Sequence, residues 1–98
     1  MKLVINDLYT HFVFITSEKE PYISEKIREP LENHLTKVVN HNSCQMLAVY
    51  ANPEHVHFLI SRSPRLSEET IATIVAQTSC RFINNKLFSN GNFSWHHT

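Results

Sequence analysis

The sequence predicts an α+β domain of the ferredoxin-like, split βαβ kind: an antiparallel sheet with two helices on one face. Three observations predict it. Residues 23–41 and 67–87 carry apolar side chains at the three- and four-residue spacing of one helix face. Residues 8–16 are rich in β-branched and aromatic types, and 44–51 and 55–60 are short, largely apolar stretches on either side of a turn. With a short apolar stretch at 93–95, the order becomes strand, helix, strand, strand, helix, strand.

The first strand, 8–16, has apolar groups on both of its faces. That predicts a strand central in the sheet or covered on both sides. In the first helical stretch the stripe is Ile23, Ile27, Leu31, Leu35, Val38 and Val39. Pro30 interrupts it, and proline is tolerated in a first turn but costly in a helix interior. The main helix therefore begins near Pro30 after a separate turn at 24–29, or runs through as one kinked helix. Asn40-His41-Asn42-Ser43 is a polar stop. Residues 44–51 form the second strand. Asn52-Pro53-Glu54 has turn chemistry, so the strand that follows pairs back as an antiparallel hairpin.

That third strand reads His55-Val56-His57-Phe58-Leu59-Ile60. Side chains alternate faces along a strand, so Val56, Phe58 and Ile60 point to the core, and His55, His57 and Leu59 to the other side. Two imidazoles side by side are suited to gripping one metal ion. The plainer alternative is a pair of partly buried strand histidines. With helices on one face only, the pair falls on the open face of the sheet.

Ser61-Arg62-Ser63-Pro64-Arg65-Leu66 reads as a loop. Ser67 is a good N-cap, and Glu68 and Glu69 suit the positive end of the helix dipole. The helix is expected to reach about Leu87, with Ile71, Ile74, Val75, Thr78, Phe82 and Ile83 as its stripe. Asn90-Gly91 reads as a turn, and Phe93-Ser94-Trp95 as the opening of a last strand.

A length of 98 residues bounds the chain to one domain, and 42% hydrophobic with 18% charged residues suits a folded one. Nine basic and nine acidic residues cancel, which argues against a strongly basic nucleic-acid clamp but leaves room for a local patch. Arg62, Arg65 and Arg81 are the phosphate-contact candidates, weighed against ordinary surface charge. Cys44 and Cys80, lone and in apolar segments, read as buried thiols of a cytoplasmic protein. No apolar run approaches a membrane span and no signal peptide opens the chain. His11 is placed to support a neighbouring histidine from the adjacent strand, or to be an ordinary half-buried histidine. Phe12, Phe14, Phe58 and Phe82 fall on apolar stripes and read as core, and Tyr9 and Tyr50 as packing residues.

Taken together, these residues resemble a known family, the single-tyrosine transposases of the HUH superfamily, in its insertion sequence 200-like and REP-associated group. His55-Val56-His57 matches the histidine–hydrophobe–histidine triplet. Tyr9-Thr10-His11-Phe12-Val13-Phe14 resembles the family's first strand. Pro53 to Ile60 follows its Pro-Asp-His-Val-His-Leu-Leu-Ile segment, and Thr78 to Asn84 its Ser-Ser-Ser-Lys-Trp-Ile-Asn run. Phe93-Ser94-Trp95 matches its Phe-Ser-Trp, so the likeness spans nearly the whole chain.

The resemblance implies a homodimeric enzyme that cuts and rejoins hairpin-forming single-stranded DNA. A tyrosine attacks the scissile phosphate, assisted by Mg2+ or Mn2+ on the two histidines and a third polar ligand. In the family the tyrosine and third ligand lie on a helix beyond the last strand, whereas this sequence reads His96-His97-Thr98 there. The expectation is a single transposase-like domain, 1–98, truncated before the tyrosine helix and catalytically incomplete. Tyr9, Tyr22 and Tyr50 do not match the nucleophile. Ala76 and Gln77 stand where the family often has Lys-Gly, which removes a charge. The rival expectations are a non-catalytic, dimeric nucleic-acid-binding or decayed ferredoxin-like module, and a small-molecule-binding domain of the same fold.

Overall fold

The computed structural model describes residues 8–62, 65–87 and 93–96. Strand β1 (Leu8–Ile15) leads to helix α1 (Glu25–His41), strand β2 (Gln45–Ala51), strand β3 (His55–Arg62) and helix α2 (Glu68–Phe82). The strands make one antiparallel sheet in the order β1-β3-β2. Both helices pack on one face of it, as the α+β reading expects.

The core is built from the stripes. Ile27, Leu31, Leu35 and Val39 of α1 and Ile71 and Val75 of α2 close over Val56, Phe58 and Ile60 of β3. Phe12 stacks on Phe58 at 5.0 Å and Phe14 meets it edge-on at 5.2 Å. Phe12, Phe14 and Phe82 are partly buried against this core. Cys44 and Cys80 are free and only partly buried.

Helix α1 runs through Pro30 from its N-cap at Ser24, so a start near Pro30 is corrected. A proline there removes only the one bond to the carbonyl of Lys26. Breaking the helix instead would pull Ile27 off a stripe on which Ile27 and Leu31 are both buried. The polar stop works as expected. Ser43 takes the left-handed conformation (φ 62°), Asn42 Nδ2 donates to Val38 O at 2.7 Å, and the Cys44 N–H returns to Val39 O. At the start of α2, Ser67 Oγ accepts from the Thr70 N–H at 3.0 Å, the N-cap that the sequence predicts. Helix α2 ends at Phe82 and widens into a π-turn at Ile83–Leu87.

Three further expectations change. Strand β3 continues through Ser61 and Arg62, which the sequence places in a loop. Strand β1 is neither central nor covered on both faces: Tyr9 is 60% and Val13 47% exposed. The last strand is reduced, among the described residues, to a single bridge between Thr16 and Trp95 on the outer side of β1. The reason is that Phe93 is claimed by the helix end. Its N–H donates to Asn84 Oδ1 at 2.8 Å and its carbonyl accepts from Asn84 Nδ2 at 3.0 Å. Trp95 Nε1 then donates to the buried Ser79 Oγ at 3.0 Å, fixing the segment to α2. The Asn90-Gly91 turn lies outside the described residues.

His34 of α1 lies flat on Phe82, ring centroids 4.2 Å apart, with its Nε2 buried and without a partner. Burial pushes its pKa below the ordinary histidine value, the Lys37 charge pushes the same way, and a hydrogen bond to the Thr78 backbone opposes both. Between the lowered folded value and the unfolded value near 6.5, the unfolded chain binds the extra proton. His34 is therefore neutral at no penalty above that range, and stability is lost as pH falls through it. Urea midpoints measured from pH 7.5 to 5 should fall, and His34→Phe should flatten part of that fall.

Candidate metal centre on the open sheet face

The centre begins with a braced turn. Asn52, Pro53 and Glu54 join β2 to β3, and neighbouring elements take up their backbone groups. The Asn52 N–H donates to His55 O at 2.8 Å. Pro53 O accepts from the Ile23 N–H at 3.0 Å, and Glu54 O from the Thr16 N–H at 2.9 Å. Thr16, fully buried, also turns its hydroxyl towards Glu20 O (2.6 Å) and Glu54 O (3.1 Å). The Ala51 N–H donates to Glu32 Oε2 of α1 at 2.8 Å. The turn is thus held from Thr16 just after β1, from α1 and from the segment before α1, which fixes where β3 begins.

From that start the period of two does the rest. Val56, Phe58 and Ile60 are buried, while His55, His57 and Leu59 stay half-buried on the face away from the helices. The His55 and His57 rings lie 4.5 Å apart, nearly perpendicular. His11 of β1 stacks on His57 at 5.4 Å, so its place beside a neighbouring histidine agrees with the sequence reading, though its side is exposed. Across the strands His57 is flanked by Val13 on one side and Tyr50 on the other. Tyr50, 49% exposed, lies under the Arg28 guanidinium at 4.7 Å. Tyr9 and Tyr50 are accordingly exposed residues of the open face, not packing residues.

His55 has a partner at each ring nitrogen. Nδ1 lies 3.1 Å from Glu54 Oε1, and Nε2 lies 3.2 Å from Asn52 Nδ2. A carboxylate on one imidazole nitrogen holds the ring as the tautomer whose other nitrogen offers a lone pair, a common arrangement behind metal-ligating histidines. The donor set is compatible with a divalent ion: two neighbouring imidazoles on an accessible face, one of them with a carboxylate at its Nδ1. Among the described residues no three His, Cys, Asp or Glu side chains converge into a metal cluster.

The arginines are not with them. Strand parity turns Arg62 to the helix side, where it is consumed by internal partners. Nε donates to Thr10 Oγ1 (3.0 Å), one terminal nitrogen to Leu66 O (2.6 Å) and the other to Glu68 Oε1 (3.2 Å). With its side chain only 14% exposed, Arg62 is a clamp between β1, β3 and the start of α2. Arg65 is exposed beside a cleft of about 400 Å³ with His41, Asn42 and Ser43. Arg81 is exposed on α2, at a second cleft of about 440 Å³ with Gln77 and Trp95. The structure brings His55 and His57 together and leaves Arg62 and Arg81 on the other side of the sheet. Sequence reasoning missed Asn52, Glu54 and Arg28. The first two read only as turn formers, and the third carried no signal of its own.

Among the described residues, a three-stranded antiparallel sheet, backed by two helices and bearing a histidine pair on the face away from them, defines an α+β domain with a candidate two-histidine centre. The chain belongs to the IS200-like transposase family, whose model, "Transposase IS200 like", matches residues 4–98. It is also similar in fold to the crystal structure of a Deinococcus radiodurans R1 protein described as a candidate transposase. The TM-score is 0.83 at 16% identity, over 89% of this chain and 67% of that one. No curated protein matches the chain. Transposase function, with DNA as partner, follows from the family. Among the described residues no helix is long and apolar enough to cross a membrane.

Proposed function

We propose that this chain is a transposase domain that holds Mg2+ or Mn2+ at His55 and His57 and binds hairpin-forming single-stranded DNA on the open sheet face, as a homodimer. The observation that carries the reading is the imidazole pair, 4.5 Å between rings, on the uncovered face of a chain of this family. A divalent ion held there supplies positive charge to a non-bridging phosphate oxygen. The chain's own residues do the positioning. The braced turn and the β1 and β2 partners fix both histidines, and Glu54 orients His55. Tyr9 and Tyr50, 60% and 49% exposed, offer ring faces on which unpaired bases can stack. Arg28 at the rim of the face supplies a positive charge beside Tyr50. Arg65 and Arg81 remain candidates for phosphates that pass around the edge, and Arg62 is withdrawn because its donors are spent.

The test is fluorescence-anisotropy binding to a labelled single-stranded hairpin, with a matched duplex as control, in manganese at low salt. Preference for the hairpin is expected. Tyr50→Ala should weaken it several-fold, since one stacked base contributes about 1–3 kcal/mol. Equal binding to duplex and hairpin, or none, would remove the reading. The same oligonucleotide on a denaturing gel should show no tyrosine adduct from this 98-residue chain. Tyr22 packs edge-on against Phe93 at 5.9 Å, Tyr9 on β1 pairs with Ser61 away from the histidines, and Tyr50 on β2 lies directly across from His57. An adduct mapped to Tyr50 would contradict catalytic incompleteness.

A further inference from the structure

We infer that the side-chain amide of Asn52 is a further protein ligand of the His55/His57 cation site. The inference rests on the metal reading above and adds a donor from the turn that precedes the strand.

The placement carries it. Glu54 occupies Nδ1 of His55, so Nε2 is the nitrogen left for a cation, and the Asn52 amide sits 3.2 Å from that atom. Without metal, the amide NH2 donates to the Nε2 lone pair. A cation that takes this lone pair removes the acceptor, and the amide turns over about its terminal torsion to present Oδ1 in the same place. The two ends of an asparagine amide are nearly the same size, so the swap needs no other movement. The spacing fits. Two ligand atoms each about 2.1 Å from one ion and at a right angle lie about 3 Å apart.

The turn also holds Asn52 ready. Its N–H is bound to His55 O, the preceding N–H to Glu32, and the following carbonyl to the Ile23 N–H. The side chain is half-buried, so few alternative positions compete. The chemistry fits as well. An amide oxygen is a hard, neutral donor suited to Mg2+ or Mn2+. Two imidazoles and an amide leave the ion's full double charge facing the open side, where a phosphate oxygen would arrive.

The experiment is manganese binding by calorimetry, with no DNA present, on the full chain and on the variants Asn52→Ala, Asn52→Asp and His57→Ala. Metal-free thermal unfolding is followed in parallel. Asn52→Ala should bind manganese at least tenfold more weakly while remaining folded, its unfolding midpoint lowered by only a few degrees through loss of the bond to His55. Asn52→Asp, which keeps the side-chain length and the turn preference, should bind at least as tightly as the natural chain. It also decides the matter if alanine disturbs the turn: a tenfold loss in a folded Asn52→Asp chain overturns the inference. So does Asn52→Ala binding as tightly as the natural chain while His57→Ala fails to bind. Asn52 is then only a cap on His55, and the two-histidine site stands. If the natural chain binds no manganese, the metal reading falls and takes this ligand with it.

Discussion

Alanine at His57 is expected to remove manganese binding while leaving the fold in place. His57 is the third residue of the central strand, half-buried, with its ring in contact with those of His11 and His55. Its backbone is paired on both sides, with Val13 and Tyr50, and none of those ladder bonds involves the imidazole. Removing the ring therefore takes away a donor and some stacking but no core contact. Groups that merely orient a ligand typically cost 10- to 100-fold in metal affinity when lost. A direct ligand should then cost at least about 100-fold in a calorimetric titration. The unfolding midpoint should change little, because substitutions away from the core commonly fall within about 0.5 kcal/mol. Alanine at His55 should also abolish binding, but with a loss of stability, since that ring ties Asn52 and Glu54 together across the turn. Unchanged manganese affinity in His57→Ala would refute the two-histidine centre outright.

The histidine pair was legible because it depends on one rule applied over six residues. An apolar residue at every second place from Val56 to Ile60 settles which side faces the helices, and the histidines take the other. The helix stripes and the Ser67 cap were legible for similarly local reasons. What escaped was decided elsewhere in the chain. Pro30 looks like a boundary in isolation, but burial of Ile27 and Leu31 on one stripe outweighs one missing hydrogen bond. Arg62 looks like a free loop cation until β3 is seen to run two residues further. Parity then turns it inward, where Thr10, Leu66 and Glu68 accept its donors. The apolar side chains on both faces of β1 suggested cover on both sides. The described sheet instead leaves Tyr9 and Val13 exposed beside the histidines. The supporting roles of Asn52 and Glu54 depend on side chains reaching a neighbour's ring, and turn propensity says nothing about that.

Phe58→Ala is expected to cost about 3–5 kcal/mol, the usual range for emptying a large aromatic site in a core. Phe58 is 1% exposed, stacked on Phe12, edge-on to Phe14 and paired across the sheet with both Phe12 and Val49. Small domains are stable by about 5–15 kcal/mol, so this one substitution removes a large part of the total. Since 1 kcal/mol moves the midpoint of a domain this size by about 4–8 °C, thermal unfolding should begin at least about 12 °C lower. Val13→Ala, on the exposed face of β1 directly across from His57, should move the midpoint by only a few degrees. The contrast with His57→Ala is the informative part. Phe58 and His57 are neighbours on one strand but belong to opposite faces. Phe58→Ala should lose manganese binding only as the chain unfolds, and regain it on cooling, whereas His57→Ala should lack it at every temperature. If Phe58→Ala were fully folded and still failed to bind, the two faces of β3 would be coupled through the backbone. The strand would then do more than separate a core from a site.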